Sequence, residues 1–331
     1  MRVGIVGGSG NISTSVVRLL LEHGHDVTCI TRGRATIPDG ARPLIGDRED
    51  LEWFIPAIRA QQFDAAIDFI AFSPEHGRAS LEAFRDVGHF IHTSTVSTYG
   101  EDADWLPITE DHPTRSTNSY GVNKARIDRM YTAAYLSDGF PVTIIKPSTT
   151  YGPKRVIRQL GIDTRWLDRI RNGRPILKVG DGNAIHHLLH VDDAAPGFVG
   201  AVERERCIGQ TYNLVNPTHT TWSEVHTTAM EVIGTHVEQV SIAAETLFEL
   251  DPQKFMLVPG NLSRSLLYSS AKLQRDVPEF RPRISLDEGL ADAYEYLSSN
   301  RLIEEAAPGD WEDQLIEIQL ASKRKLLSVS L

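Results

Sequence analysis

Apolar residues recur along this chain with two alternating periods. Residues 2–6 are a short β-branched run, Gly7, Gly8 and Gly10 interrupt it, and from Asn11 the apolar positions Ile12, Val16, Leu19 and Leu20 return at helical spacing. A stop at Gly24 and a second β-branched run over 27–30 complete a strand, a glycine turn, a helix and a strand. The alternation continues. The spacing predicts a helix over 49–60 with Leu51, Phe54 and Ile58 on one face despite Pro56, a strand over 63–71, a helix over 75–87, a strand over 89–94 and a helix over 120–135. Strands alternating with helices of this length predict an α/β fold: a doubly wound parallel sheet covered on both faces.

The later chain reads as a helix over 161–172, strands over 176–179 and 184–191, a helix over 192–203 and a strand over 210–215 that returns to the main sheet. Amphipathic helices follow over 221–233 and 285–298, the second opening with Ser285 three residues before Glu288, the spacing of a capping box. The charged helix over 311–327 is expected on the surface or at a subunit contact.

Composition narrows the class. At 331 residues and 41% hydrophobic content the chain buries a large core as one big domain or two intimate ones. No apolar run approaches the ~18 residues of a membrane span, and Met1 leads into a strand rather than a charged-then-apolar leader. Two cysteines, Cys29 and Cys207, are too few for a disulfide framework, so a cytoplasmic protein is expected. A net charge of −10 argues against a nucleic-acid partner.

The glycine turn carries the first chemistry. Glycines between a strand and a helix let the backbone approach a pyrophosphate, and the unpaired amides at the helix start bind the anion. Gly7, Ser9, Gly10, Asn11 and Ile12 are therefore the expected dinucleotide contacts. Beyond the second strand an Asp or Glu would bind the ribose hydroxyls of NAD, but Thr31, Arg32 and Arg34 stand there, and Asp26 comes too early. Two cations at that point suit a 2′-phosphate, so NADP(H) is expected over NAD(H). Asp47 precedes the helix over 49–60 as a candidate cap.

The second chemistry is a proton-transfer set. Tyr120 and Lys124 are four apart on one helix face, and Thr95 stands 120 − 95 = 25 positions before the tyrosine, just past a strand. A free phenol has a pKa near ~10, and a neighbouring ammonium favours the phenolate. Tyr120 then exchanges a proton with an alcohol while a hydride passes between its carbon and the nicotinamide, and Thr95 holds the same oxygen.

Together GGSGNIS at 7–13, GDR at 46–48, STVSTYG at 94–100, YGVNK at 120–124, KPSTTYGP at 146–153, GDG at 180–182 and HVDD at 190–193 resemble an extended short-chain dehydrogenase/reductase of the NAD-dependent epimerase/dehydratase family. The resemblance implies a Rossmann-type domain over 1–153 that regains a strand and helix at about 187–215, and a smaller C-terminal α/β substrate domain over 154–186 and 216–331. It also implies Asp47 and Arg48 at the adenine end, Ala71 and Pro147 along the cofactor, Tyr120 as acid/base and Lys124 as the ribose-binding lysine, both against the cofactor, and a homodimer through helices that include the one bearing Tyr120. Ser13 stands where the family places its third glycine.

Other departures bear on activity. The family's sugar 4,6-dehydratases follow the threonine with Asp-Glu, whereas Val96 and Ser97 stand here, so that elimination is not expected and what remains is a net reduction or oxidation, or the transient oxidation and re-reduction of an epimerase. Nucleotide-sugar binders carry Asn and Arg where this chain has Thr149 and His186, and neither replacement offers the charge and fork of arginine. The expected substrate is a sugar or nucleotide sugar, contacted by Ser97, Thr149 and His186, with Lys154, Arg155 and Arg158 as candidate phosphate contacts. A metal site is not expected at His186, His187 and His190: on one strand the first and last lie about 13 Å apart and the middle one points away. Neither GxSxG nor GK[ST] is present, which disfavours a hydrolase or a P-loop. The alternative is a non-catalytic, dinucleotide-sensing or RNA-binding relative.

Overall fold

The computed structural model describes residues 1–329, apart from the side chain of residue 261. The chain forms two compact units. The first is Met1–Thr150, Leu189–Pro217 and Tyr268–Arg283; the second is Tyr151–Leu188, Thr218–Leu267 and the chain from Ile284 onward. The return of Tyr268–Arg283 to the first unit is absent from the sequence expectation, which gave everything after residue 215 to the second.

In the first unit β1 (Arg2–Val6), β2 (Asp26–Thr31), β3 (Arg42–Ile45), β4 (Ala65–Asp68), β5 (His89–Thr93), β6 (Val142–Pro147) and β7 (Thr211–Leu214) form a seven-stranded sheet in the order β7-β6-β5-β4-β1-β2-β3. Every neighbouring pair is parallel. Its faces are covered by α1 (Asn11–Glu22), α2 (Leu51–Arg59), α3 (Pro74–Ala83), α4 (Ser119–Asp138) and α5 (Val191–Val202), and the short helix Ala271–Asp276 adds Leu273 to the α1/α5 side. Period-two alternation sorts β1 between two cores. Val3 and Ile5 pack with Val16, Val17 and Leu20 of α1 and Phe198 of α5, while Val6 packs with Phe54 and Ile58 of α2 and Ile127 of α4. Strand order reverses at β1, which lies between β2 and β4, so ligands are received beyond the carboxyl ends of these strands.

Several boundaries differ from the sequence expectation. The strand expected over 63–71 keeps only Ala65–Asp68, because the Asp68 carboxylate accepts a hydrogen bond from the Ile70 amide at 2.9 Å and turns the chain out of the ladder. Helix α2 is capped by Asp50, which accepts from the Trp53 amide at 3.2 Å, whereas Asp47 accepts from the Glu49 amide one turn earlier. Strand β3 was not expected: its residues are mostly exposed and include Pro43, tolerable on an edge. The helix expected over 161–172 starts only at Arg165, since Gly161 has φ +128°. The strand expected over 184–191 is broken into Ile185–His186 and Leu188–His190, and a ring nitrogen of His190 accepts from the Asp192 amide to cap α5.

The core of the second unit gathers Trp166, Ile170, Trp222, Leu247, Ala293 and Ile316. Parallel strands Ile176–Val179 and Gln239–Ile242 pair there, and the helices Trp222–Ile233 and Leu286–Ser299 open with Thr221/Glu224 and Ser285/Glu288 capping boxes. The helix Trp311–Leu327 does not simply lie on the surface: its first turn inserts Glu312 among buried arginines. Among the described residues no helix is long and apolar enough to cross a membrane.

Candidate functional site

The loop between β1 and α1 is shaped for close approach. Gly7 and Gly8 have φ of +118° and +100°, and a Cβ on Gly8 would lie 2.5 Å from Cys29 Sγ, so only glycine fits there without displacing β2. The Gly7 amide donates to the Ile30 carbonyl at 2.9 Å, which ties the loop to the end of β2. Helix geometry leaves the Asn11 and Ile12 amides without a carbonyl four residues earlier, directed at whatever occupies the loop. The Asn11 side chain reaches Thr150 Oγ1 at 3.4 Å, and its buried Oδ1 has no partner among the described residues. One end of a buried amide is thus left for a ligand.

Ser13 does more than replace a small residue. Its hydroxyl accepts from the Gly8 amide at 3.2 Å and the Gly10 amide at 2.9 Å, pinning the loop where the family's glycine would leave it unbraced.

Polar groups collect beyond the other strand ends. Arg32 and Arg34 are exposed just past β2, and neither has an ion-pair or hydrogen-bond partner among the described residues. Past β3, Asp47 is half-buried, while Arg48 is turned inward. Its Nη1 bonds the Asp68 carboxylate at 3.0 and 3.1 Å and its Nη2 bonds the His76 carbonyl and Ser80 Oγ, both at 3.1 Å. Burial raises the Asp68 pKa, but Arg48 and Ser80 outweigh it and hold the carboxyl below its usual range. Arg48 is therefore placed to fix the β3 and β4 loops, with its guanidinium already committed. Ala71 and Pro147 are buried just past β4 and at the end of β6.

Thr95 lies just past β5, Lys124 reaches back to the end of that strand, and Tyr120 stands in the first turn of the helix that carries Lys124. Thr95 caps the short 3₁₀ turn Val96–Tyr99, its Oγ1 accepting from the Ser97 amide at 3.2 Å. Helix α4 packs closely on that turn: a Cβ on Gly121 would lie 2.6 Å from the Ser97 carbonyl, so the residue after Tyr120 must lack one. Four residues past the exposed Tyr120, Lys124 is buried and its Nζ donates to the Thr93 carbonyl at 2.6 Å, two residues before Thr95. Burial lowers the Lys124 pKa to about 8, against the pull of Asp68 and Asp128. Phe72 links the pair, with its ring 5.0 Å from Lys124 Nζ and 6.4 Å from the Tyr120 ring.

A charged layer behind Lys124 escaped the sequence reading. Asp128, one turn further along α4, accepts from Ser94 Oγ at 2.9 Å and pairs with Lys146 Nζ at 3.0 Å, and Lys146 also donates to Thr98 Oγ1. Burial pushes the Asp128 carboxyl up, but Lys146 and His92 hold it well below the usual range. The available signal was the i, i+4 spacing of Lys124 and Asp128, which puts both on the buried face.

Ser97 and Thr149 are half-buried in the first unit; His186 lies in the second. It pairs in register with Thr220, its ring is 4.8 Å from the Trp222 ring, and burial lowers its pKa to about 4, so it is neutral near pH 7. His187 shares its unit, whereas His190 belongs to the other. Arg158 is not a phosphate contact: its guanidinium is buried against Glu312 at 2.8 and 2.9 Å.

The profile of the NAD dependent epimerase/dehydratase family matches residues 3–214. The 2′-dehydrokanamycin reductase of Streptomyces kanamyceticus is 26% identical over 86% of this chain and 81% of its own. A chloroplast stem-loop binding protein of 41 kDa from Arabidopsis thaliana is 25% identical over 88% and 77%. The UDP-glucose 4-epimerase of Thermus thermophilus in complex with NAD superposes with a TM-score of 0.73 at 22% identity, covering 90% of this chain and 99% of that one, which shows a shared fold.

Proposed function

The chain belongs to the NAD dependent epimerase/dehydratase family, and from that premise we propose an NADP(H)-dependent oxidoreductase that reduces a ketone of a sugar, or oxidises the matching secondary alcohol. The observation that carries this reading is the close packing of Gly121, the residue after Tyr120, against the Ser97 carbonyl, with the Lys124 ammonium anchored on Thr93 at the same strand end. The loop geometry, the open Asn11 amide and the unpaired Arg32 and Arg34 fit a dinucleotide with a 2′-phosphate. When bound, the cofactor donates or accepts hydride at its nicotinamide. Lys124, charged below about pH 8, stabilises the phenolate form of Tyr120, which gives or takes the proton at the sugar oxygen, and Thr95 Oγ1 orients that oxygen.

Three features favour reduction of a sugar that carries no nucleotide. Thr149 and His186 provide no permanent charge for a diphosphate, Arg158 is spent on Glu312, and the relative from Streptomyces kanamyceticus is named a reductase. Val96 and Ser97 lack the acid pair that elimination requires, so a 4,6-dehydratase is not proposed. A cytoplasmic homodimer, with Cys29 and Cys207 as buried free thiols, completes the reading. The stem-loop binding relative keeps the RNA-binding alternative in view, opposed here by the net charge of −10.

Purified protein given NADPH and a panel of keto-sugars should consume one NADPH per alcohol formed, with NADH used at least about tenfold less efficiently, the worth of one charge-assisted contact to the 2′-phosphate. An epimerase would return its cofactor unchanged. No turnover on any sugar, together with salt-sensitive RNA retention, would favour the binding protein instead.

A further inference from the structure

We propose that the first unit carries a zinc-type divalent metal site formed by His23, His25 and Glu203, remote from the dinucleotide loop. His23 Nδ1 lies 2.9 Å and His25 Nε2 2.8 Å from the same oxygen, Glu203 Oε1, and one donor atom from each residue falls within 4.8 Å of the other two. Two imidazole nitrogens and a carboxylate are the ligand set that borderline divalent ions take, and tetrahedral bonds of about 2.0–2.2 Å place such donors roughly 3.3 Å apart. Only small movements separate the present cluster from that arrangement. The fourth position falls to water, because the His23 side chain is 43% exposed.

The backbone supports the same ligand sign. His23 is the C-cap of α1 and Glu203 the C-cap of α5, so two helix carboxyl ends, each with a partial negative charge, meet where the cation would sit. These helices pack against each other on one face of the sheet. A metal there would staple the α1–β2 turn to the end of α5, about 18 Å along α1 from the Gly10 end. The readable signal was His-x-His across the turn at Gly24; the glutamate is 203 − 25 = 178 positions further on, which is why no spacing rule finds it.

Untagged, chelator-treated protein is titrated with zinc chloride in a non-chelating buffer at about pH 7.5, because protons compete with the metal for its ligands. One ion binds per chain, and saturation raises Tm by roughly 5 °C. His25→Ala and Glu203→Gln each weaken binding about 100-fold or more, beyond the loss of an outer-shell partner, while His236→Ala, an exposed histidine of the second unit, leaves it unchanged. His23→Ala, at an exposed cap, tests the same point in a variant that keeps its fold. Absence of saturable one-to-one binding, or equal binding by wild type and the three site variants, would overturn the proposal.

Discussion

Tyr120→Phe lowers kcat/KM for the keto-sugar by about 10²–10⁴-fold, the usual worth of a positioned general acid. Cofactor affinity and Tm stay near those of the wild type. The substitution removes one hydroxyl from a residue that is 42% exposed and leaves the core packing in place. Steady-state rates alongside a cofactor titration separate the two effects, and a variant with full turnover would remove the phenol from the mechanism. The pH profile adds a signature. Lys124 loses its proton above about pH 8 in the ligand-free protein, and with it the charge that favours the phenolate, so kcat/KM falls on the alkaline side from about that pH.

Glu312→Ala costs about 3–5 kcal/mol of stability and lowers the Tm of the second unit by roughly 10 °C. The carboxylate accepts both Nη groups of Arg158 and the Leu177 amide at 2.9 Å, and Arg169 Nε lies 3.9 Å away. Arg158, Arg169 and Glu312 are all buried. Removing the anion strands an arginine out of water, with Asp163 at 3.0 Å as its remaining side-chain partner among the described residues. The helix Trp311–Leu327 loses one of its anchors at the same time, while Asp310 and Asp313 keep Arg169. Because the penalty comes from the stranded charge, Arg158→Met combined with Glu312→Leu is less destabilised than the sum of the single variants. Simple additivity in thermal denaturation would show that the pair is not energetically coupled.

The parts of the fold legible in the sequence are those whose signal is local. The β1–α1–β2 unit reads directly because a β-branched run, three glycines and a helical period sit within thirty residues. The Ser285/Glu288 capping box and the strand Ile176–Val179 read for the same reason. Strand β3 does not, because an exposed edge carries little hydrophobic pattern. Helix α4 is less plainly amphipathic, since its buried face includes Lys124 and Asp128. The role of Trp311–Leu327 was out of reach, because Arg158 and Arg169 meet it only through tertiary contacts.

The site divides in the same way. Thr95 and Lys124 meet at one strand end, and Tyr120 shares the first turns of the helix with Lys124. Ser13 and Arg48 show the limit of carrying roles from a resemblance. The serine braces the glycine loop through its hydroxyl, and the arginine neutralises Asp68 in the interior. Both roles depend on where a side chain turns, which spacing does not encode.

The central claim is that hydride moves between NADP(H) and a sugar carbon with Tyr120 handling the proton. NADPH deuterated at the transferring C4 position is incubated with the protein and an accepted keto-sugar, and the product is read by mass spectrometry. The account predicts one deuterium on the new carbinol carbon of every product molecule, and alcohol formed without deuterium would contradict it.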